Sequence, residues 1–321
     1  MKILIVQIGR IGDMVLTTPM FRAIGNHLPD AEIHVLTSPR SLSVIFNNPR
    51  IVKIHLYRKN FLLLPQLMTQ LRGQHYDVWI DPKDHPSSEG SLLASFSGAQ
   101  QKIGFNKPGQ RVFDVALPSA EANCELHVSD RNLCALSSLI PVDSSHLNRR
   151  PELFVDPDYA VPLAPHTVLI NISAGNPSRH WPVERWGAVI AECTRLSLPV
   201  ALMFDPTDRA AAKEIAARGG NCLLLDTPTI HHAIAAVSSA ALVISPDTSV
   251  VHIAAAFNVP IIALYPCVDW NLKKFYPLSD QAAVILPDES QTFQDIPDEN
   301  VIKQLHLFVA DLTDFTDCTD C

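Results

Sequence analysis

Apolar residues in this chain gather in short β-rich runs, separated by longer stretches whose apolar positions recur with a helical period. In the first half the runs predict strands at Lys2–Gln7, Glu32–Leu36, Val52–Tyr57, Asp77–Asp81 and Lys102–Phe105. The intervening stretches predict helices near Asp13–His27, Ser38–Phe46, Leu62–Arg72 and Ser88–Ser97. Asn148–Pro165 then loses all periodicity. It holds Pro151, Pro157, Pro162 and Pro165, which remove backbone donors and break helices, so it reads as an interdomain linker. The alternation restarts with strands at Thr167–Ile172, Pro199–Phe204, Cys222–Leu225, Ala241–Ser245 and Pro260–Tyr265, and helices near Val183–Leu196, Thr207–Ala217, Ile230–Ser238 and Val250–Phe257. Alternation of this kind predicts mostly parallel sheets covered on both faces. The α/β reading is therefore two Rossmann-like doubly wound domains, 1–155 and 166–305, facing a central cleft and followed by a C-terminal segment at 306–321.

A chain of 321 residues exceeds the size at which single cores usually stop growing, in keeping with two domains. No apolar run approaches the roughly 20 residues that span a bilayer. Ile3–Val6 is too short for the core of a signal peptide and reads as a buried strand, which leads us to expect a cytoplasmic protein. The net charge of −8 is unevenly spread: residues 1–150 carry 16 Lys/Arg against 12 Asp/Glu, and the remainder 9 against 21. The basic half suits an anionic acceptor or peripheral contact with an anionic membrane surface, and nothing calls for nucleic acid. Seven dispersed cysteines do not suggest a disulfide framework. Cys318 and Cys321 form a lone C-x-x-C pair with no second pair nearby to complete a metal site.

The first strand runs into Gly9-Arg10-Ile11-Gly12-Asp13-Met14. The Gly-x-x-Gly spacing and the carboxylate of Asp13 argue against a dinucleotide pyrophosphate at this turn, and so against a nicotinamide-dependent oxidoreductase. Two readings of Asp13 remain open: a cap for the helix that follows, or a general base beside glycines that let an acceptor approach.

Two segments of the second half combine strand ends with polar loops. In Asn171–Pro182, small residues including Ser173 and Ser178 expose backbone amides, and Arg179 can grip a phosphate through two parallel hydrogen bonds. In Ser245–Ala256, first-turn amides and the hydroxyls of Thr248 and Ser249 form an anion site. Asp247 suits sugar hydroxyls better than phosphate, and His252 falls one turn beyond Thr248 on a similar face.

Taken in order, these segments resemble glycosyltransferase family 9, the ADP-heptose:lipopolysaccharide heptosyltransferases with the GT-B fold. The resemblance rests on Gly12-Asp13-Met14, Tyr76-Asp77-Val78-Trp79-Ile80-Asp81, Ser97-Gly98-Ala99 with Ile103-Gly104-Phe105, Arg179-His180-Trp181-Pro182, and Asp247-Thr248-Ser249-Val250-Val251-His252-Ile253-Ala254-Ala255. It implies an inverting, metal-independent transfer from ADP-heptose to an anionic glycolipid acceptor in the lipopolysaccharide core. Asp13 would act as base and Arg179 would offset charge on the departing diphosphate. Donor contacts would come from Gly12, Ser173, Ser178, Asp247, Thr248, Ser249 and His252, with Asp205 or Asp208 on the ribose. It implies no cofactor beyond the donor, and a final helix, near Asp298–Val309, that crosses back onto the first domain. Acceptor contacts would lie in the first domain, with Arg10, Lys53, Arg58, Lys59, Lys83, His85, Lys107 and Arg111 as candidates. Three departures stand out: Arg179 for the family's lysine, Ser249 for its glycine, and Tyr265-Pro266-Cys267 for its Gly-Pro-Thr. Ser249 motivates one rival expectation, a degenerate GT-B protein that binds nucleotides or partners without transfer; the other is a GT-B transferase of a different nucleotide sugar.

Overall fold

The computed structural model describes residues 1–60, 62–141 and 143–314; Cys318 and Cys321 lie outside the described residues. The chain divides into two compact units. The first holds Met1–Phe154 with Lys273–Phe275, the second Val155–Leu272 with the described residues from Tyr276 onward.

The first unit is built from β1 (Lys2–Gln7), α1 (Ile11–Val15), α2 (Thr18–His27), β2 (Glu32–Thr37), α3 (Pro39–Ile45), β3 (Ile51–Leu56), α4 (Leu64–Arg72), β4 (Val78–Ile80), α5 (Ser88–Phe96), β5 (Gln101–Gly104), β6 (Val115–Ala116) and α6 (Val128–Cys134). Its six strands pair in parallel in the order β3-β2-β1-β4-β5-β6. The single helix expected over Asp13–His27 is broken in two. Pro19 has no N–H and its ring would clash with a carbonyl four residues back, so the helix restarts at Thr18. The Thr18 and Thr17 hydroxyls donate to the carbonyls of Val15 and Asp13, each at 2.7 Å. The stretch that follows α6 and leads towards Phe154 is tied back to this unit. Arg22 donates to the carbonyls of Asn148 and Arg150, and Arg50 pairs with Glu152 at 2.9 Å.

The second unit contains β7 (Val168–Asn171), α7 (Val183–Arg195), β8 (Val200–Phe204), α8 (Arg209–Gly219), β9 (Leu223–Asp226), α9 (Ile230–Ser238), β10 (Leu242–Pro246), α10 (Ser249–Ala256), β11 (Ile261–Leu264), the first four residues of α11 (Asp269–Phe275), β12 (Ala282–Ile285) and α12 (Asp298–Asp314). Its strands are again all parallel, in the order β12-β11-β10-β7-β8-β9. Both sheets thus repeat one winding, and strand order reverses beside the first strand of each: between β1 and β4, and between β7 and β10. Val301 and Leu305 of α12 join the core formed by Ile170, Trp186, Ile190, Leu202 and Ile262. Among the described residues no helix is long and apolar enough to cross a membrane.

Four elements had no counterpart in the apolar pattern: β6, α6, α11 and β12. In α6 the inward residues include Ser129 and Asn132, and in α11 Asn271 is buried while Trp270 is 58% exposed. A polar inner face inverts the signal that periodicity reads. The other three tryptophans, Trp79, Trp181 and Trp186, are buried.

One buried polar cluster ties β2 and β3 to the turn before β4. Nδ1 of His34 and Nε2 of His55 each lie 2.8 Å from the Tyr76 hydroxyl. The single phenol proton can serve only one ring, so the other must donate its own N–H. Burial first, then Lys53 and His34, push His55 down to about 4, and burial pushes His34 down as well. An unfolded chain binds these protons near pH 6.5, so stability is lost as pH falls from about 6.5 towards 4. His55 alone accounts for up to about 3 kcal/mol of that loss. Urea unfolding across this window should show a pH slope shallower by about one proton in His55→Phe. An unchanged slope would remove His55 as its source.

Candidate functional site

Loops that leave two adjacent strands in opposite directions open a crevice at the carboxyl ends of those strands. In the first unit these are the loops after β1 and β4. Gln7 ends β1 with a buried side chain, which accepts from the Gly9 N–H at 3.2 Å and donates to the Thr17 hydroxyl at 3.1 Å. Asp13, the third residue of α1, accepts from the Arg10 N–H at 3.1 Å. It therefore closes the helix start as a capping carboxylate while its side chain stays half-exposed. Gly12 lies beside it, also half-exposed. A Cβ on Gly9 would meet Asp13 Oδ2 at 2.8 Å and Gln7 Oε1 at 2.9 Å, so this glycine makes room for both side chains. Below the loop, Asn132 Nδ2 donates to the Leu16 carbonyl at 3.0 Å and holds the break between α1 and α2.

The loop after β4 carries two buried carboxylates that sequence reasoning did not single out. Asp81 ends the Tyr76–Asp81 motif, and burial raises its pKa. A Cβ on Gly90 would meet Asp81 Oδ2 at 2.3 Å. Burial would raise the pKa of Asp84 too, but Arg131 at 3.2 Å and His85 at 3.1 Å help to hold it below the usual carboxylate range. The motif was visible in sequence; the burial that sets these groups apart was not. A roomier groove, lined by Tyr57, Arg58, Leu63, Leu64, Leu67 and Gln70, follows the edge strand β3 and holds none of the predicted catalytic or donor residues.

In the second unit the loops after β7, β8 and β10 bring most of the predicted residues into two connected clusters. Ser173 follows β7; its hydroxyl donates to Asp208 at 2.5 Å and accepts from the Asp205 N–H at 2.7 Å. Asp205 is exposed and caps the short turn Pro206–Asp208, accepting from both the N–H and hydroxyl of Thr207. Those bonds lower its pKa. Asn171, buried at the end of β7, bonds to the Ser173 carbonyl at 3.1 Å and the Ser245 hydroxyl at 3.0 Å, and reaches Thr248 Oγ1 at 3.4 Å. Thr248 caps α10, its hydroxyl accepting from the Val250 N–H at 3.3 Å. Ser249 opens that helix half-exposed, whereas His252 is 3% exposed.

The second cluster centres on Asp247, 4% exposed. Arg179 Nη1 donates to its main-chain carbonyl at 2.7 Å and pairs with its carboxylate at 3.0 Å. Asn271 Nδ2 donates to the same carboxylate at 2.7 Å. Burial raises the Asp247 pKa, and the Asn271 bond and the Arg179 charge oppose that rise. The Arg179 loop is itself held from below: Trp181 Nε1 donates to the Ile296 carbonyl at 3.0 Å, and Gln294 donates to the Ser178 carbonyl at 3.1 Å. Ser178 is exposed. This arrangement offers a guanidinium, a helix start and several hydroxyls to an anionic, hydroxyl-bearing ligand. Among the described residues no group of three or more His, Cys, Asp or Glu is placed to hold a metal ion.

Residues 65–306 match the family model described as glycosyltransferase family 9 (heptosyltransferase). Lipopolysaccharide heptosyltransferase 3 of Escherichia coli K12 is 25% identical over 285 residues, covering 80% of each chain. Among solved structures, E. coli ADP-heptose lps heptosyltransferase II superposes with a TM-score of 0.81 at 21% identity, covering 98% of this chain and 100% of that one. The family 9 glycosyl transferase of Veillonella parvula gives 0.80 at 19% identity over 97% of each chain. E. coli heptosyltransferase WaaC, solved with ADP, gives 0.76 at 15% identity, covering 96% and 100%. These likenesses establish the GT-B fold expected from the sequence.

Gly9 tests the Asp13 turn of the first unit. Gly9→Ala should displace the Asp13 carboxylate and lower stability by about 1 kcal/mol in urea unfolding, the worth of a lost cap. The same change in an Asp13→Ala background should cost less. Equal costs in the two backgrounds would show that Gly9 does not serve Asp13.

Proposed function

The chain belongs to glycosyltransferase family 9, and from that premise we propose that it moves a heptose from ADP-heptose to an acceptor in the lipopolysaccharide inner core, inverting the anomeric carbon. The observation that carries this reading is the Arg179–Asp247–Thr248 cluster at the β7/β10 reversal, which pairs a partly exposed guanidinium with the start of α10. Hydrogen bonds to a phosphate are strongest when the donor is charged, and a helix start adds unpaired amides. The donor is favoured by the names of relatives: E. coli heptosyltransferase WaaC has been solved both with ADP and with ADP-2-deoxy-2-fluoro heptose. The acceptor is favoured by the lipopolysaccharide heptosyltransferase 3 relatives, and the surplus of cations in residues 1–150 suits an anionic glycolipid at the cytoplasmic face of the inner membrane.

In this reading the second unit holds the donor. Ser173, Ser178, Thr248 and Ser249 offer hydroxyls and amides to the diphosphate and sugar, and Asp205 takes the ribose. His252, expected among the donor contacts, is 3% exposed on α10. Asp13, with Gly12 beside it, supplies the base. An acceptor hydroxyl attacks the anomeric carbon, Asp13 takes its proton, and the bond to the diphosphate breaks with its electron pair leaving on ADP. Arg179 and the first amides of α10 offset the charge that develops there.

Asp13 is both cap and proposed base, and two variants separate the roles. Asp13→Asn keeps an oxygen for the Arg10 N–H and should leave stability near normal, while transfer falls by about 100-fold or more. Asp13→Ala should lose transfer and, in addition, about 1 kcal/mol of stability. Mass spectrometry of products from ADP-heptose and a panel of core acceptors reads transfer, and urea unfolding reads stability. Turnover in Asp13→Asn equal to wild type would remove the base assignment. Chelation with EDTA should leave transfer unchanged.

A further inference from the structure

Arginine side chains carry enough rotamer freedom that a half-exposed guanidinium, left alone, would present its charge in many directions. Arg179 is not left alone. Nη1 is held twice by Asp247, through its main-chain oxygen at 2.7 Å and its carboxylate at 3.0 Å. Among the described residues only Nη1 is engaged, so Nη2 and Nε remain for a ligand. The carboxylate oxygen that receives Nη1 also receives Asn271 Nδ2 at 2.7 Å. Asp247 is fixed through its backbone as well, its N–H donating to the Leu264 carbonyl at 2.8 Å. Asn271 is 3% exposed on a helix whose outward neighbour is Trp270, so its amide is spent inside the protein.

We propose that Asn271 is a positioning residue: by holding the buried Asp247 carboxylate from α11, it sets the orientation in which Arg179 meets the diphosphate. The inference rests on the reading of Arg179 as the diphosphate-binding cation. An amide suits the task because it donates without adding charge. A second carboxylate would repel Asp247, and an apolar residue would leave a buried oxygen short of a donor. The role is also economical in sequence terms: one neutral residue outside every recognised motif governs the geometry of a charge inside one.

ADP titration by calorimetry on the full chain tests this without requiring transfer. Arg179→Ala should weaken ADP by about tenfold or more, and Asn271→Ala by about tenfold. The double variant should be no weaker than Arg179→Ala within about twofold, because residues acting through one contact are not additive. AMP, which lacks the second phosphate, should bind Asn271→Ala within about twofold of wild type. Multiplicative losses, an unchanged ADP affinity, or an equal loss for AMP would overturn the proposal. Should Asn271→Ala fail to fold, the exchange Asp247→Asn with Asn271→Asp keeps the amide–carboxylate bond but moves the charge off position 247. It should weaken ADP comparably, and wild-type affinity there would overturn the proposal. A wild-type chain that binds ADP but forms no product refutes the transfer reading and leaves this inference standing. One with no affinity for ADP refutes both.

Discussion

Parallel strands wound to opposite sides of a common first strand impose the constraint on which everything else depends. The chain cannot return along the same face, so the loops following β1 and β4, and those following β7 and β10, must part company. That parting leaves backbone groups and polar side chains at strand ends with no neighbouring ladder to satisfy them. Both units answer in the same way, by loading those ends with short polar residues that bond to one another. In the first unit Gln7 donates to Thr17, which Asn132 of α6 also reaches at 3.4 Å, and in the second Asn171 bonds to Ser173 and reaches Thr248.

Buried carboxylates are costly unless paired, and pairing explains the arrangement of two of the three buried among the described residues. Asp84 sits against Arg131 and His85, and Asp247 against Arg179 and Asn271. Asp13 is half-buried and Asp205 exposed, and each spends its carboxylate on a local turn. Of these four, Asp84 and Asp247 hold cations from within and Asp13 and Asp205 keep contact with solvent, whereas the buried Asp81 takes the Lys83 N–H.

Much of this architecture was legible in the sequence because strand cores such as Ile3–Val6 and Leu242–Ile244 are continuous apolar runs, the mark of strands buried on both faces. The reading failed where polarity ran inward. Ser129, Asn132 and Asn271 are buried, so α6 and α11 lacked an apolar stripe, and Pro19 split a helix that periodicity alone would have joined. The site was legible in part for the same reason. Arg179, Asp247 and Thr248 sit in recognisable strand-to-helix turns, but which of them touch is a matter of three-dimensional register. Sequence suggested that Asp247 would meet sugar hydroxyls; the structure shows its carboxylate engaged with Arg179 and Asn271.

Trp270 stands one residue from Asn271 on α11 and is the one tryptophan of four that faces solvent. Indole emission shifts to longer wavelength in water, so the red edge of this protein's intrinsic fluorescence belongs to a single ring beside Asn271. Iodide or acrylamide quenching would reach that ring and leave the other three dark to the quencher. The chain thus contains its own optical label on α11, with no dye or engineered probe required.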